Sequence, residues 1–364
     1  MKVLMISTDN TLLGQKGIGD AIERHQEYAK QVERLDILVL AKKKQAAKQI
    51  ASNFLAEPIY FWGHKKKAEE FWKKYQYNLI VCQDPFITGS LGVYLKNKFK
   101  VKLIIHFHGD FFDNPYWLKE HWRHRIYKRM AEKNIHQADS IRVVSEGIKE
   151  KLIKKGVAPQ DIFKISTPVN LDKFESGGLA GKQGRKIVLT VGRIVEAKDF
   201  PTLIKAAEII FSQVPDFEWR IIGVGPLSKK FKRATKNQPY IKWLGHIDHQ
   251  DLVKYYQTAS LVAMTSDNES FGKVFLEAAM SKKPAVATDT VGAREIIEDG
   301  ISGYIVPIKD FKRAAERIIY LLNNQDVLEQ MGQQAYEIVR RKFDWQKNID
   351  AIISMWKQTI GGNV

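Results

Sequence analysis

The stretch that decides the fold is Ser266–Pro307, which reads SDNESFGKVFLEAAMSKKPAVATDTVGAREIIEDGISGYIVP. Two carboxylates in it, Glu269 and Glu277, stand eight positions apart on either side of a Phe271-Gly272 turn. Glu277 lies at the start of the apolar face of a predicted helix. A helical path of that length spans about 12 Å, which is roughly the distance from a sugar to the ribose of a nucleotide.

The backbone between the two acids predicts an anion site. Gly272, Lys273 and Val274 begin the helix, so their N–H groups precede the first intrahelical hydrogen bond. Such a helix start is a suitable seat for a diphosphate. The segment therefore offers three contact points to a nucleotide-sugar. Two carboxylates at this spacing alone would be a weak signal, because surface helices carry many.

Size and composition indicate a globular protein with two domains. The chain has 364 residues, 27% of them charged and 44% hydrophobic, and this length is too great for one ordinary core. No apolar run reaches the roughly 18 residues that a membrane span needs. The N-terminal MKVLMISTDN predicts a β-strand, since its apolar run is too short for a signal peptide. The single cysteine, Cys82, excludes an internal disulfide and a cysteine-based metal cluster, and we expect a cytoplasmic protein.

The first half of the chain alternates strand and helix patterns. A helix is predicted from about residue 20 to 34, after a glycine-containing loop at 13–19. Strand patterns occur at 2–7, 35–40, 79–82, 102–107 and 140–144. The later strands are continuous apolar runs, which indicates burial on both faces. This alternation is typical of a doubly wound parallel sheet.

The second half restarts the pattern after a polar, glycine-rich break at 175–184. Strands are predicted at 186–191, 218–222, 241–244, 261–264, 284–287 and 303–305, and helices notably at 199–212, 250–259 and 272–281. We therefore predict two α/β domains, 1–170 and 171–343. An amphipathic helix is expected at about 344–364.

The 266–307 stretch resembles the donor-binding signature of the retaining glycosyltransferases of family 4, which have the GT-B fold. In that family an acid, a Phe-Gly turn and a second acid precede a small-residue helix and a proline. A Gly-x-x-Glu-Ile-Ile segment and an Asp-Gly-x-x-Gly segment that ends in Val-Pro follow. The chain supplies Glu269, Phe271, Gly272, Glu277, Ala278, Ala279, Pro284, Gly292, Glu295, Ile296, Ile297, Asp299, Gly300, Gly303, Val306 and Pro307. This extended series is a strong signal.

The resemblance implies a fold and roles. It implies two Rossmann-like domains with a cleft between them, the first on the acceptor side and the second binding the nucleotide-sugar. The last helix is expected to pack back on the first domain. Glu277 would hold the ribose hydroxyls and Glu269 the hydroxyls of the donor sugar. Phe271 and the Gly272–Val274 amides would complete the donor site.

Two cations, Arg193 and Lys198, follow the first strand of the second domain in VGRIVEAKDFPTLIKAA. Two cations in one β-to-α loop can face a diphosphate from two sides, although two solvated loop cations are the simpler alternative. The family has Gly-Arg, four residues and then Lys, so the resemblance implies that both neutralise the leaving nucleoside diphosphate. No Asp-x-Asp motif occurs, and these cations with the helix start could do the work of Mg²⁺. We therefore predict transfer without a metal or another cofactor.

Further donor contacts are predicted in three loops. Gly17 and Gly19 lie in the first βα loop, LLGQKGIGD, whose glycine spacing does not fit a dinucleotide fingerprint but still permits close backbone approach to a substrate. Gly225 belongs to a Gly-x-Gly-Pro turn that the family places near the nucleotide. His246 and Ile247, in WLGHIDHQDL, match a family loop that contacts the nucleotide base through its backbone.

Three polar residues compete for a role at the end of the 102–107 strand, in IIHFHGDFF. By alternation, His106 and His108 lie on the same side of the strand. The resemblance favours His108, because family members have a His followed by Gly or Asp near the reacting sugar. Asp110 is the alternative, as a group that orients the acceptor hydroxyl. His106 by itself is typical of a hydrogen-bonded core residue.

The net charge of +17 lies mainly in the first half, where residues 1–170 carry +12 and residues 171–364 carry +5. Basic runs with interleaved aromatic residues occur at 42–44, 65–67, 122–129 and 151–155. Such runs suit the anionic cytoplasmic face of a membrane, where each Lys or Arg adds about 1 kcal/mol. Nucleic acid is an alternative without a recognition motif behind it. Any single run is also explained by a solvated helix face.

The sequence thus predicts a retaining glycosyltransferase that moves a hexose from a UDP- or GDP-sugar to an acceptor hydroxyl. The expected pathway is the synthesis of a surface polysaccharide, lipopolysaccharide or glycolipid. Its expected partners are the donor, an acceptor sugar or lipid-linked glycan, and an anionic membrane, but not nucleic acid. Two rivals stay open, a GT-B sugar-nucleotide epimerase and a catalytically silent homologue that binds sugar nucleotides.

Overall fold

The computed structural model describes residues 1–15, 21–112, 114–175 and 186–361. The chain divides into two compact units, one formed by Met1–Val169 with the C-terminal segment from Trp345, the other by Asn170–Asp344. Each unit is a largely parallel β-sheet with helices in the connections, so the predicted pair of α/β domains is confirmed. Gly17 and Gly19 lie outside the described residues.

The sheet of the first unit contains β1 (Lys2–Ser7), β2 (Arg34–Leu40), β3 (Lys48–Ala51), β4 (Phe54–Ile59), β5 (Leu79–Cys82), β6 (Lys102–Phe107), β7 (Ser140–Val143) and β8 (Ile162–Lys164). In space the order is β3-β4-β2-β1-β5-β6-β7-β8, and the neighbours are parallel except β3 and β4. Strands β1, β5 and β6 are apolar and almost wholly buried, as expected for strands covered on both faces.

Three strands of this sheet escaped the sequence analysis. β3 reads KQIA and is exposed or half-buried at the sheet edge, so it lacks an apolar pattern. β4 contains Glu57 and Pro58, and a proline inside a run argues against a strand. β8 has only three residues. β3 and β8 are short and lie at the two edges of the sheet, which hides them from a search for apolar runs, whereas in β4 the proline conceals the pattern.

The helices of the first unit follow its strands. They are α1 (Ala21–Lys30), α2 (His64–Tyr75), α3 (Ile87–Phe99), α4 (Pro115–Glu120), α5 (Arg123–Asn134) and α6 (Glu146–Lys154). α1 ends four residues earlier than predicted.

The sheet of the second unit is parallel throughout. Its strands are β9 (Lys186–Val191), β10 (Phe217–Ile222), β11 (Ile241–Gly245), β12 (Leu261–Met264), β13 (Ala285–Thr288) and β14 (Gly303–Val306), in the order β11-β10-β9-β12-β13-β14. Its helices are α7 (Phe200–Gln213), α8 (Ser228–Ala234), α9 (Leu252–Thr258), α10 (Lys273–Met280), α11 (Val291–Ile296), α12 (Phe311–Asn323) and α13 (Gln325–Lys342). The strand order reverses between β9 and β12, and sheets of this kind bind ligands at the carboxyl ends of such a pair.

The last helix, α14 (Trp345–Thr359), belongs to the first unit. Its apolar face is buried in the core of that unit, where the fully buried Trp356 meets Tyr28 edge to face with ring centroids 5.4 Å apart. Of the described helices, none has both the length and the apolarity of a membrane span.

Candidate functional site

The residues predicted to bind the donor gather at the carboxyl end of the second sheet. The loop after β9 carries Arg193 and Lys198, and the loop after β12 carries Glu269. Because β9 and β12 are the neighbours at which the strand order reverses, these two loops meet where α/β sheets bind ligands. Gly225 follows β10, and His246 and Ile247 follow β11.

Lys198 and Glu269 are in direct contact. The Nζ of Lys198 pairs with Oε2 of Glu269, and the two side chains are 17% and 18% exposed. The pair therefore joins the loop after β9 to the loop after β12. Its partial burial makes the attraction stronger than that of a surface ion pair.

Hydrogen bonds to the backbone around Lys198 connect the two loops. The amide of Asp267 donates to the carbonyl of Ala197 at 2.9 Å, and the Thr265 hydroxyl donates to the carbonyl of Asp199 at 3.0 Å. Asp199 has a φ of 40° and accepts from the amide of Thr202 at the start of α7. A non-glycine residue with positive φ is uncommon and costs backbone strain. Lys198 is thus fixed just before a strained helix cap.

The Phe271-Gly272 turn begins α10. Gly272 has a φ of 78°, and a Cβ placed there would lie 2.5 Å from the Phe275 ring, so glycine is required for both reasons. The Phe275 amide bonds to the Gly272 carbonyl at 2.8 Å. The N–H groups of Lys273 and Val274 precede that bond, which is the helix-start geometry that suits a diphosphate.

Glu277 is buried on α10 and both its carboxylate oxygens have partners. The carboxylate is 4% exposed, with His249 Nε2 at 2.9 Å from Oε1 and the Tyr256 hydroxyl donating to Oε2 at 2.7 Å. Lys273 Nζ lies 3.8 Å from Oε1. Burial and the neighbouring carboxylate raise the pKa of Tyr256 well above its usual value, so the phenol stays a donor.

His249 and Tyr256 are site residues that the sequence analysis missed. They stand seven positions apart, which places them on one face of a helical stretch two turns long. The same spacing within an apolar stripe is also typical of core residues, and so the signal was not specific. Only the structure shows that both groups meet the same carboxylate.

The Gly225 turn supports the Arg193 loop. A Cβ on Gly225 would lie 2.3 Å from the carbonyl oxygen of Ile194, and the Ile194 amide donates to the Val224 carbonyl at 3.2 Å. The loop after β10 is therefore packed backbone to backbone against the loop after β9. The side chain of Arg193, in the loop after β9, is exposed.

His246 and Ile247 follow the end of β11. His246 is about half exposed, and its Nε2 lies 3.3 Å from Oδ1 of Asp248. The carbonyl of Gly245, just before it, accepts from the Gly223 amide at 2.7 Å. This loop borders the Gly223–Gly225 turn, at the same carboxyl edge as the predicted diphosphate contacts.

In the first unit, His108 lies one residue beyond the end of β6. Its Nε2 is 2.8 Å from Oε1 of Gln83, which follows β5. His108 thus lies at the carboxyl edge of its sheet, one strand from the reversal of strand order between β1 and β5. The Gln83 amide group fixes the orientation of the imidazole.

Asp110 is buried and bears an ion pair. It is 5% exposed, Lys151 Nζ lies 2.7 Å from its Oδ2, and the same ammonium donates to the Phe112 carbonyl at 3.0 Å. Asn114 Nδ2 donates to the Asp110 carbonyl at 3.0 Å. These contacts tie the segment after His108 to α6. The predicted contact between Asp110 and an acceptor hydroxyl stays a prediction.

His106 differs from the expectation of a hydrogen-bonded core residue. It is 1% exposed, yet neither ring nitrogen has a hydrogen-bond partner among the described residues. Its neighbour across the sheet is Arg142, also buried, which donates from Nε to the Ile165 carbonyl at 3.0 Å. Burial and the Arg142 charge lower the pKa of His106 well below its usual value, and burial lowers the pKa of Arg142 to about 10.

The arrangement in the second unit can bind an extended, doubly charged phosphate ester. It offers two cations and a helix start on one side, and a buried carboxylate with hydroxyl-accepting oxygens further along α10. No group of three or more His, Cys, Asp or Glu side chains with the proximity of a metal site occurs in the described part of the chain.

Two family profiles match the chain side by side. Residues 36–173 match Glycosyltransferase Family 4, and residues 173–338 match Glycosyl transferases group 1. Together they span both units.

Individual proteins agree with these profiles. An uncharacterized glycosyltransferase of Methanocaldococcus jannaschii is 27% identical, over 77% of this chain and 75% of its own length. The capsular polysaccharide biosynthesis glycosyltransferase CapM of Staphylococcus aureus is 26% identical, over 60% and 61%. The alpha-monoglucosyldiacylglycerol synthase of Streptococcus pneumoniae is 24% identical, over 79% and 70%.

Among solved structures, Anabaena HepE in complex with UDP matches 98% of this chain and all of its own chain, with a TM-score of 0.79 and 19% identity. At this identity the likeness concerns the fold alone. The predicted GT-B fold is confirmed.

Proposed function

Since this chain belongs to the family 4, group 1 glycosyltransferases, we propose that it transfers a hexose from a UDP- or GDP-sugar to an acceptor hydroxyl with retention of configuration. The observation that carries the proposal is the contact between Lys198 and Glu269 beside the start of α10. It brings a diphosphate-binding cation and a hydroxyl-binding carboxylate to one point of the fold. A nucleotide-sugar presents those two groups next to each other.

The donor is held along α10. The ribose hydroxyls donate to Glu277, whose oxygens keep lone pairs beyond those used by His249 and Tyr256. The diphosphate lies on the Lys273 and Val274 amides and between Arg193 and Lys198. The sugar hydroxyls donate to Glu269. The base rests against the His246-Ile247 backbone.

The reaction breaks the bond between the anomeric carbon and the β-phosphate oxygen, and forms a bond from that carbon to the acceptor oxygen. Both events take place on one face of the sugar. The acceptor proton passes to a phosphate oxygen, and the nucleoside diphosphate leaves. Arg193, Lys198 and the helix start stabilise the negative charge that develops on the departing diphosphate, so no metal ion is required.

The first unit supplies the acceptor side. His108, oriented by Gln83, contacts the reacting sugar, and the Asp110–Lys151 pair holds the segment that follows His108 in place. Gly17 and Gly19 remain proposed donor-side residues, because glycines in the first βα loop permit close backbone approach to a substrate. The names of CapM and the diacylglycerol synthase support a polysaccharide or glycolipid acceptor. The basic first half supports a peripheral contact with an anionic membrane on the cytoplasmic side.

The proposal is tested by proton NMR of a donor panel in EDTA. We expect loss of the anomeric donor signal with one UDP- or GDP-hexose, and the first released or transferred sugar should keep the donor's anomeric configuration. The Arg193→Ala variant should be slowed strongly in the same assay, because it lacks one of the two cations.

Each other outcome contradicts one part of the proposal. An inverted product contradicts retention. Turnover that is lost in EDTA and restored by Mg²⁺ contradicts metal independence. Conversion of the donor to an epimer without release of nucleoside diphosphate would identify the epimerase instead. Binding without any turnover, with several acceptors present, would identify a silent homologue.

A further inference from the structure

Two adjacent aromatic residues stand out on the surface of the first unit. Trp62 is 90% exposed, the highest value for a large hydrophobic residue in the described ranges, and Phe61 is 62% exposed. They follow β4 and precede α2. A single exposed apolar residue needs no explanation, whereas two large ones side by side on a loop indicate a contact surface.

This loop is held in a defined shape. His64 Nδ1 lies 2.5 Å from the Phe61 carbonyl, and the His64 and Phe61 rings stack at 5.6 Å. Phe61 and Trp62 meet edge to face at 5.8 Å. The Tyr60 hydroxyl accepts from the Gln45 amide at 3.1 Å, which ties the preceding loop to the aromatic residues. The pair is thus presented by a fixed turn.

Lysines surround the pair on both sides. Segments 41–45 and 60–67 together contain six lysines, at 42–44 and 65–67, and no acid. Lys67 pairs with Glu57 at 3.1 Å, and the other five are exposed. An open groove of about 650 Å³, lined by Lys44, Lys67 and Trp62 among others, lies beside the loop. The surface combines apolar rings with a dense positive charge.

We propose that residues 60–67, hereafter the aromatic tip, insert into the surface of an anionic lipid bilayer, while the lysines at 42–44 and 65–67 bind the lipid phosphates. This deepens the membrane contact proposed above and rests on it. Trp and Tyr rings prefer the boundary between headgroups and acyl chains, and lysines are attracted by anionic lipids. A protein partner fits this surface less well, because protein–protein interfaces are depleted in lysine.

The position of the aromatic tip suits a membrane-bound acceptor. It follows the carboxyl end of β4, and His108 follows the carboxyl end of β6. These strands are parallel and four places apart in the sheet, or about 19 Å at normal strand spacing. Trp122, 66% exposed with Arg123 5.5 Å from its ring, is the residue before α5, in the connection from β6 to β7. A bilayer at this edge would bring a lipid-linked acceptor close to His108.

The test is sedimentation of the full chain with vesicles of phosphatidylglycerol and phosphatidylcholine at low salt. We expect binding to these vesicles and little binding to vesicles of phosphatidylcholine alone. The F61S/W62S variant should partition roughly tenfold or more weakly, because two large apolar side chains are lost. The K65E/K66E variant should lose about fivefold or more for each lysine replaced.

Matched variants on the second unit distinguish vesicle binding through the aromatic tip from general effects of charge and hydrophobicity. I301S/Y320S removes two exposed apolar residues, and K229E/K230E reverses two exposed lysines. Both should bind vesicles like the original protein. With brominated lipids, part of the tryptophan fluorescence should be quenched, and the W62F variant should lose that part.

Three results would overturn the proposal. One is equal vesicle binding by F61S/W62S and the original protein. Another is an equal loss in the second-unit variants. The third is retention by a dissolved sulfated polysaccharide but not by anionic vesicles, which would assign the surface to a soluble polyanion.

Donor-induced changes in melting temperature are measured on the same samples. They should be unchanged in F61S/W62S, because neither Phe61 nor Trp62 is among the proposed donor contacts. If the original protein itself shows no donor-induced shift, the proposed transferase function fails. The vesicle result then still decides whether the aromatic tip binds membranes.

Discussion

The hydroxyl of Tyr256 donates to Oε2 of Glu277 at 2.7 Å, inside the second unit where the carboxylate is almost fully buried. His249 contacts the other oxygen at 2.9 Å. Glu277 is therefore not a flexible surface acid but a carboxylate held in one orientation. Such pre-organisation lowers the cost of binding a pair of ribose hydroxyls.

Replacement of Glu277 by Gln should weaken nucleotide binding with little loss of stability. The amide keeps the volume but lacks the charge that makes the ribose hydrogen bonds strong, and about tenfold to a hundredfold weaker UDP or GDP binding is expected. Isothermal titration calorimetry measures this. Unchanged affinity in Glu277→Gln would contradict the assignment of the ribose contact.

Replacement of Tyr256 by Phe should lower the stability of the second unit. It leaves a buried carboxylate oxygen without its hydroxyl donor, which costs about 1–3 kcal/mol in the free energy of unfolding. Urea unfolding measures the change, with Tyr255→Phe on the same helix as the control, since Tyr255 has no hydrogen bond to the carboxylate. Equal stability of the two variants would show that the hydrogen bond contributes nothing.

The Lys198–Glu269 pair predicts that substitutions of its two members affect the binding of the nucleoside diphosphate and of the nucleotide-sugar differently. Lys198→Ala should weaken the binding of both the nucleoside diphosphate and the nucleotide-sugar, because the diphosphate loses a cation. Glu269→Ala should weaken only the nucleotide-sugar, since the sugar hydroxyls lose their acceptor while Lys198 is released for the diphosphate. Parallel titrations of each variant with both ligands measure the two affinities. Equal loss of the two ligands in Glu269→Ala would contradict the proposed sugar contact.

Close backbone packing at Gly225 predicts a large effect from one methyl group. Gly225→Ala should destabilise the second unit and weaken diphosphate binding, because its Cβ would collide with the carbonyl of Ile194. Gly192→Ala is the matched control for stability, since its Cβ would find no described atom closer than 3.7 Å. Urea unfolding should show a clear loss for the first variant alone. Similar curves would mean that the loop relaxes freely.

Much of the second unit was predictable from the sequence. Its six strands are short, apolar and separated by helices, so the alternation fixes their order along the chain and the parallel sheet. The site residues after β9 and β12 were found because their motifs are local. In the first unit, the edge strand β3 was missed because it lacks an apolar pattern, and its neighbour β4 was missed because a proline interrupts the pattern.

Other features depend on contacts between residues that are distant in the sequence. Nothing in the spacing of Lys198 and Glu269 shows that they touch, since they are 71 positions apart. The roles of Tyr256 and His249 as partners of a buried carboxylate, and the isolation of the His106 ring, likewise depend on tertiary packing. Sequence patterns report local periodicity and cannot report these pairings.

The buried histidines of the first unit predict acid sensitivity. Burial and Arg24 lower the pKa of His25 to about 3 from an ordinary value of 6.5, while its Nδ1 lies 2.5 Å from the Ala21 carbonyl. The pKa of His106 is lowered too. Below pH 6.5 the unfolded chain binds protons that the folded chain does not, so stability falls as the pH decreases from 6.5 towards 3.

Each of these two histidines should contribute a slope of up to about 1.4 kcal/mol per pH unit in that range. Urea unfolding of the protein between about pH 7 and pH 4.5 measures the slope, because free histidine titrates in about this range. The His25→Gln variant should show a shallower dependence, whereas His136→Gln, at an exposed position, should not change it. An unchanged slope in His25→Gln would contradict the assignment.

The most direct test of the central claim is the melting temperature of the protein with UDP-, GDP- and ADP-sugars in EDTA. We predict an increase with one donor class that disappears in both Glu277→Ala and Arg193→Ala. No increase with any donor, or an increase that persists in both variants, would contradict the proposed nucleotide-sugar site.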